Sequence, residues 1–112
     1  MRKEYYFKTG VEGKDTIQVY SDYCKSAGGY IANFLVGDTT AGGMFGWHID
    51  ADYFRYYQRH DRRLLVPAGR RSAKKEQEAE KLLADNLIPF VRDFVAQSEA
   101  LGGPHMEPIL AA

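Results

Sequence analysis

Pro67 divides the chain into two stretches that cannot settle into the same kind of structure. From Ser72 onward Ala, Glu, Lys and Leu dominate, all strong helix formers, whereas the opening third is rich in Tyr, Val, Ile and Phe punctuated by glycines. Strand-like segments followed by helix-like ones give an α+β fold. The expected architecture is a small antiparallel sheet, an N-terminal hairpin plus one or two further strands, packed against two or three helices.

The hairpin is read over Lys3 to Tyr23. Tyr5, Phe7 and Thr9 alternate with Tyr6 and Lys8, Val11 to Asp15 supply a Gly-centred turn, and Ile17, Val19 and Tyr20 resume the β-rich run. Ser21 to Val36 admits two readings. As a helix, Ser21 would cap a face of Tyr23, Ala27, Tyr30, Ile31, Phe34 and Leu35, but Gly28 and Gly29 would cost it about 2 kcal/mol relative to alanines. As a strand, Gly29 to Val36 is a short apolar run bounded by Gly28 and by Gly37-Asp38, and the glycines favour this second reading. Gly37 to Gly46 then reads as a loop, and Met44 to Ile49 as one more strand.

Beyond the basic connector Ala68 to Lys75, an apolar stripe of Ala79, Leu82, Leu83, Leu87, Phe90, Val91, Phe94 and Val95 runs at helical spacing. Pro89 interrupts it. Either the helix kinks there, or it breaks at Asp85-Asn86 and a second helix starts with Asn86 as its cap. Gly102-Gly103-Pro104 ends the helical region, so residues 1–103 read as one domain and 104–112 as a C-terminal tail, frayed or extended and paired with something.

The stretch Gly46 to Pro67 holds the only Trp, Trp47, together with Tyr53, Tyr56, Tyr57, His48, His60 and four of the arginines. Tyr53, Tyr56, Tyr57, His60 and Leu64 fall at the spacing of one helix face, with Asp50 or Asp52 as a cap and Pro67 as the stop. Arg55, Arg59, Asp61, Arg62 and Arg63 fall on the other face.

At 112 residues the chain supports one domain with a single modest core. A formal charge of zero leaves no global pull toward nucleic acid or acidic lipid, so electrostatic arguments must be local. Because no apolar run approaches the ~20 residues of a membrane span and MRKEYYFK lacks a signal peptide's features, a soluble cytoplasmic protein is expected, without membrane contact. Cys24, the one cysteine, excludes an internal disulfide and a cysteine-built zinc site. It reads as a small hydrophobe.

Three motifs bear on chemistry. His48-Ile49-Asp50, with His60 or His105 as a further ligand, resembles the His-x-Asp element of the 2-oxoglutarate-dependent oxygenases, which implies a non-haem Fe(II) site. The resemblance covers only those residues, and it implies a double-stranded β-helix of about eight strands, which the intervening residues, read as mostly helical, do not supply. The second motif is a set of close acids and bases, Asp50, Asp52, His48 and His60, in which the acids serve more economically as helix caps. The third, the loop AGGMFG, lacks the Walker Lys-Ser/Thr pair and the full dinucleotide-binding glycine fingerprint. No catalytic residue, metal or cofactor is therefore expected.

A binding role is the better-supported expectation. Between Arg55 and Lys75 the basic residues are Arg55, Arg59, Arg62, Arg63, Arg70, Arg71, Lys74 and Lys75 against one acid, Asp61, while Glu76, Glu78, Glu80, Asp85, Asp93 and Glu99 collect the acids elsewhere. Arginine beside aromatic residues suits a protein interface and equally a single nucleic-acid strand. The expected contact set is Trp47, Tyr53, Arg55, Tyr56, Arg59, Arg62, Arg63, Arg70 and Arg71. Overall neutrality and the lack of a nucleic-acid-binding motif rank a protein partner first, with the chain as an inhibitor or adaptor of a larger nucleic-acid-handling assembly. Single-strand binding ranks second and a His/Asp metal-dependent enzyme third. A homodimer through the Leu82 to Val95 stripe is expected if the sheet cannot cover that stripe.

Overall fold

The computed structural model describes residues 3–37, 63–100 and 102–111, and of Arg63 the backbone alone. Among the described residues, five strands form one antiparallel sheet, and two helices pack on one of its faces. In chain order the elements are β1 (Glu4–Lys8), β2 (Thr16–Cys24), a 3-10 turn (Lys25–Ala27), β3 (Gly29–Gly37), β4 (Arg63–Pro67), α1 (Ala73–Asp85), α2 (Leu87–Ala100) and β5 (Ile109–Leu110). Across the sheet the order is β4-β3-β2-β1-β5. The chain is thus an α+β fold, as its composition implies.

The hairpin forms where alternation places it. Phe7 faces Ile17 and Tyr5 faces Val19 across β1 and β2. Val36 and Phe34 continue those two rows on β3. These side chains share the helix side of the sheet, and Phe7, Ile17 and Val19 are wholly buried. At the tip, Lys14 N–H donates to the Val11 carbonyl (3.1 Å) with Gly13 at φ 79°, and the buried Thr9 hydroxyl accepts from Val11 N–H (3.1 Å). A hydroxyl that would otherwise be stranded in the core is satisfied by its own turn.

Of the two readings of Ser21 to Val36, the strand is the one adopted. Gly28, in the left-handed region at φ 86°, lets the chain reverse, and β2 then pairs with β3 along its whole length, from Thr16 opposite Gly37 to Cys24 opposite Gly29. Ser21, buried on the helix side, donates its hydroxyl to Glu80 of α1. The far face carries Glu4, Tyr6, Gln18, Tyr20 and Asn33. There Tyr6 donates to Glu4 (2.8 Å) and accepts from Gln18 (3.3 Å), while Asn33 donates to Tyr20 (2.8 Å).

One helical expectation is overturned. The helix read over Gly46 to Pro67 does not extend to its last residues, because Arg63–Pro67 is the edge strand β4, with Leu64 opposite Ile31 and Val66 opposite Tyr30. Arg63, expected on the cationic face of that helix, is instead paired through its backbone with Ala32. Three adjacent apolar residues, Leu64, Leu65 and Val66, gain a strand partner in β3, and a bulge absorbs the extra residue. Pro67 sits at the end of an edge strand, where a missing N–H costs least. The loop read at Gly37 to Gly46, apart from Gly37 itself, the strand read at Met44 to Ile49 and the body of the aromatic helix lie outside the described residues.

The helical region breaks at Asp85-Asn86. Asn86 sits between the two helices: its N–H reaches the Leu82 and Leu83 carbonyls and its side-chain amide donates to Leu82 (2.8 Å), closing α1, while its own carbonyl accepts from Phe90 N–H (3.0 Å), the first bond of α2. Pro89 falls in the first turn of α2, where no intrahelical N–H is lost. Gly102, at φ 95°, donates to the Glu99 carbonyl and Gly103 to that of Ser98, the paired bonds of a Schellman ending.

Leu83, Leu87, Val91, Phe94 and Val95 are buried against the sheet, and the Phe34 and Phe94 rings stack at 4.7 Å with planes 1° apart. The sheet therefore covers most of the stripe, and Leu82 is its one residue left exposed, at 40%; Ile88, beside the stripe, is exposed at 41%. The tail is extended. Met106 is buried in the core, and β5 pairs with β1 through Phe7 opposite Leu110 and Lys8 opposite Ile109.

Candidate functional site

Of the expected contact residues, Trp47, Tyr53, Arg55, Tyr56, Arg59 and Arg62 lie outside the described residues. Arg70 and Arg71 are exposed on the connection between β4 and α1, and that connection is the site the described residues build.

Its foundation is a cross-strand tyrosine pair. Tyr23 and Tyr30 face each other at the closed end of β2 and β3, their rings edge to face at 5.5 Å. Each hydroxyl then fastens one part of the connection. Tyr23 donates to the Gly69 carbonyl (3.0 Å), while Tyr30 donates to the Ser72 carbonyl (3.1 Å) and accepts from Ser72 N–H (2.9 Å). Ala68 N–H reaches the Gly28 carbonyl (2.9 Å), so the connection starts against the β2–β3 turn. Ser72 also caps α1, its hydroxyl accepting from Lys75 N–H.

On this tethered backbone the cations sit at the surface. The Arg71 guanidinium lies 5.4 Å from the Tyr23 ring centre, a cation–π contact worth about 0.5–1 kcal/mol at an exposed position. Lys75 donates from Nζ to the Pro67 carbonyl (3.3 Å). Among the described residues, none forms an ion pair with Arg70, Arg71 or Lys75. Together with Ala68, Gly69 and Ser72 they line an open cleft of about 780 Å³, three cations with no carboxylate among the described lining. Such a surface attracts anions.

Lys75 was counted with the basic residues but not in the contact set, and Tyr23 and Tyr30 were not counted as site residues. A signal for the pair existed. With Lys25 to Gly28 as the turn, Cys24 and Gly29 flank it and the next pair outward, facing each other, is Tyr23 and Tyr30.

Elsewhere, His48, Asp50 and His60 of the His-x-Asp reading lie outside the described residues. Their distal candidate, His105, holds Glu99 through Nδ1 (3.0 Å) and Glu107 through Nε2 (3.4 Å). Among the described residues no group of three or more His, Cys, Asp or Glu can hold a metal. Cys24 is half-buried beside the Ser26 hydroxyl (3.2 Å).

The bond to Glu99 first, then that to Glu107, raises the His105 pKa above its ordinary value. The sign follows directly: the attraction that ties the tail to α2 is complete below the ordinary histidine pKa and is lost as pH rises through the raised one. NMR titration is expected to show that raised midpoint, lowered more by Glu99→Gln than by Glu107→Gln. A midpoint at or below the ordinary value would show that these carboxylates do not hold the ring.

Comparison of the chain with protein-family models, with curated proteins and with solved structures finds no match in any of the three.

Proposed function

We propose that this protein is a small binding protein without chemistry of its own, acting as an inhibitor or adaptor that docks on a partner protein. One observation carries the reading: Arg70, Arg71 and Lys75, with no acid among the described residues that line the cleft, on a connection that Tyr23 and Tyr30 hold in place. Docking needs such pre-organisation, because a surface already ordered loses less entropy when a partner arrives. Arginine and tyrosine are also the residue types on which interface energy concentrates. The apolar stripe does not support self-association as the main role, since most of it is buried beneath the sheet.

Affinity capture from the native host tests the reading, with the lysate treated with nuclease and the bait compared with an Arg70→Ala, Arg71→Ala double variant. The expected result is a protein retained by the unmodified chain after nuclease treatment and lost with the variant. Retention by both baits, or loss on nuclease treatment, would overturn the proposal, and the second outcome would favour a nucleic-acid ligand.

A further inference from the structure

We infer that the cleft between β4 and α1 receives an acidic peptide segment of the partner, with neighbouring Asp or Glu carboxylates seated against Arg70, Arg71 and Lys75. The inference rests on the docking role proposed above and names the chemistry of what docks.

Three observations separate an acidic peptide from a nucleic-acid strand. Single-strand binders stack bases on open aromatic faces, and among the described residues the rings beside this cleft, Tyr23 and Tyr30, are not open. Tyr30 is 3% exposed, and Tyr23 has the Arg71 guanidinium over its ring and its hydroxyl committed to the Gly69 carbonyl. The second observation is the charge beyond the cleft. From Glu76 onward α1 carries Glu76, Glu78, Glu80 and Asp85, with Glu80 engaged by Ser21, against the single cation Lys81, so a phosphate backbone continuing along the helix would meet a net like charge, whereas a short acidic segment ends before it.

The donors themselves supply the third. Tyr23 backs the guanidinium of Arg71 on one side, and its N–H groups have no carboxylate among the described residues; Lys75 has one hydrogen bond to Pro67 and further N–H donors to offer. Guanidinium and ammonium groups presented together suit carboxylates, through charge-assisted hydrogen bonds that form without rearranging the tethered backbone.

The test is fluorescence anisotropy with the full chain and three labelled probes: a decamer of alternating Glu and Gly, the same decamer with Gln for Glu, and a thymidine oligomer of equal length. Binding of the Glu peptide is expected, with affinity falling about tenfold for Arg70→Glu and for Arg71→Glu, the scale of one lost charge-assisted contact. The Gln peptide is expected not to bind. Arg92→Glu, which changes net charge equally but on α2, is expected to leave the affinity unchanged. All three positions are exposed, and circular dichroism checks that the variants remain folded.

Equal binding of the Glu and Gln peptides, or an Arg92→Glu effect as large as that of Arg70→Glu, would overturn the inference. So would tighter binding of the oligonucleotide that Arg70→Glu weakens. A nuclease-resistant partner captured through Arg70 and Arg71, without Glu-peptide binding, would remove the acidic ligand and leave the docking role standing. Failure of both experiments would remove both.

Discussion

Gly29→Ala is expected to destabilise the protein by roughly 3–5 kcal/mol, a large share of the ~5–15 kcal/mol that holds a typical domain folded. A methyl group on Gly29 would lie 2.2 Å from the Val66 carbonyl oxygen, 2.6 Å from Ala68 nitrogen and 2.9 Å from the Pro67 α-carbon. All three are backbone atoms, so no side chain can rotate away. β4 would have to separate from β3, and the connection carrying Arg70 and Arg71 would move with it. Gly28→Ala is the control. Gly28 also has positive φ, but an added methyl group there meets nothing within 4 Å, leaving only a conformational cost of about 1–2 kcal/mol. Urea denaturation of the two variants measures the difference; equal midpoints would show that β3 and β4 do not approach this closely at Gly29.

The second large effect is expected at the centre of the core. Phe94→Ala removes a ring that is 2% exposed and stacked on Phe34, and the cost is about 3–5 kcal/mol, transfer and cavity terms together. At 4.7 Å between centres, nearly parallel rings are offset and not directly superposed, the preferred arrangement for such a pair. Combining Phe94→Ala with Phe34→Ala is therefore expected to cost less than the two singles added, by about 0.5–1.5 kcal/mol. Denaturant midpoints at constant slope measure it, and strict additivity would mean that the rings do not interact.

Where local chemistry and tertiary pairing agreed, the fold was legible in the sequence. Alternation from Tyr5 to Thr9 marked β1 because one face of that strand is buried, and the Gly28-Gly29 pair weighed against a helix where the chain in fact reverses. Of the two readings of the helical region, a kink at Pro89 or a break at Asp85-Asn86, the break is the one adopted, with the Asn86 side chain serving α1. Agreement failed at Leu64. Its spacing from Tyr53, Tyr56, Tyr57 and His60 extends a helical period, but Arg63–Pro67 is only five residues long, and its state is decided by the open edge of β3. β5 was readable only as an extended alternative, since two residues carry no period.

Within the candidate site, Arg70 and Arg71 were legible from charge alone. What holds them was not, because hydroxyl contacts from Tyr23 to Gly69 and from Tyr30 to Ser72 depend on strands pairing far from the connection in sequence.

The outer strand at the β1 edge joins opposite ends of the described chain, Phe7 facing Leu110. A ribosome releases β1 early and residues 109 and 110 long afterwards, so in that interval the nascent protein presents an uncapped row of amide and carbonyl groups to every neighbour. Its yield in a cell then depends on how densely unfinished copies are crowded together, a quantity that melting the finished molecule never reports.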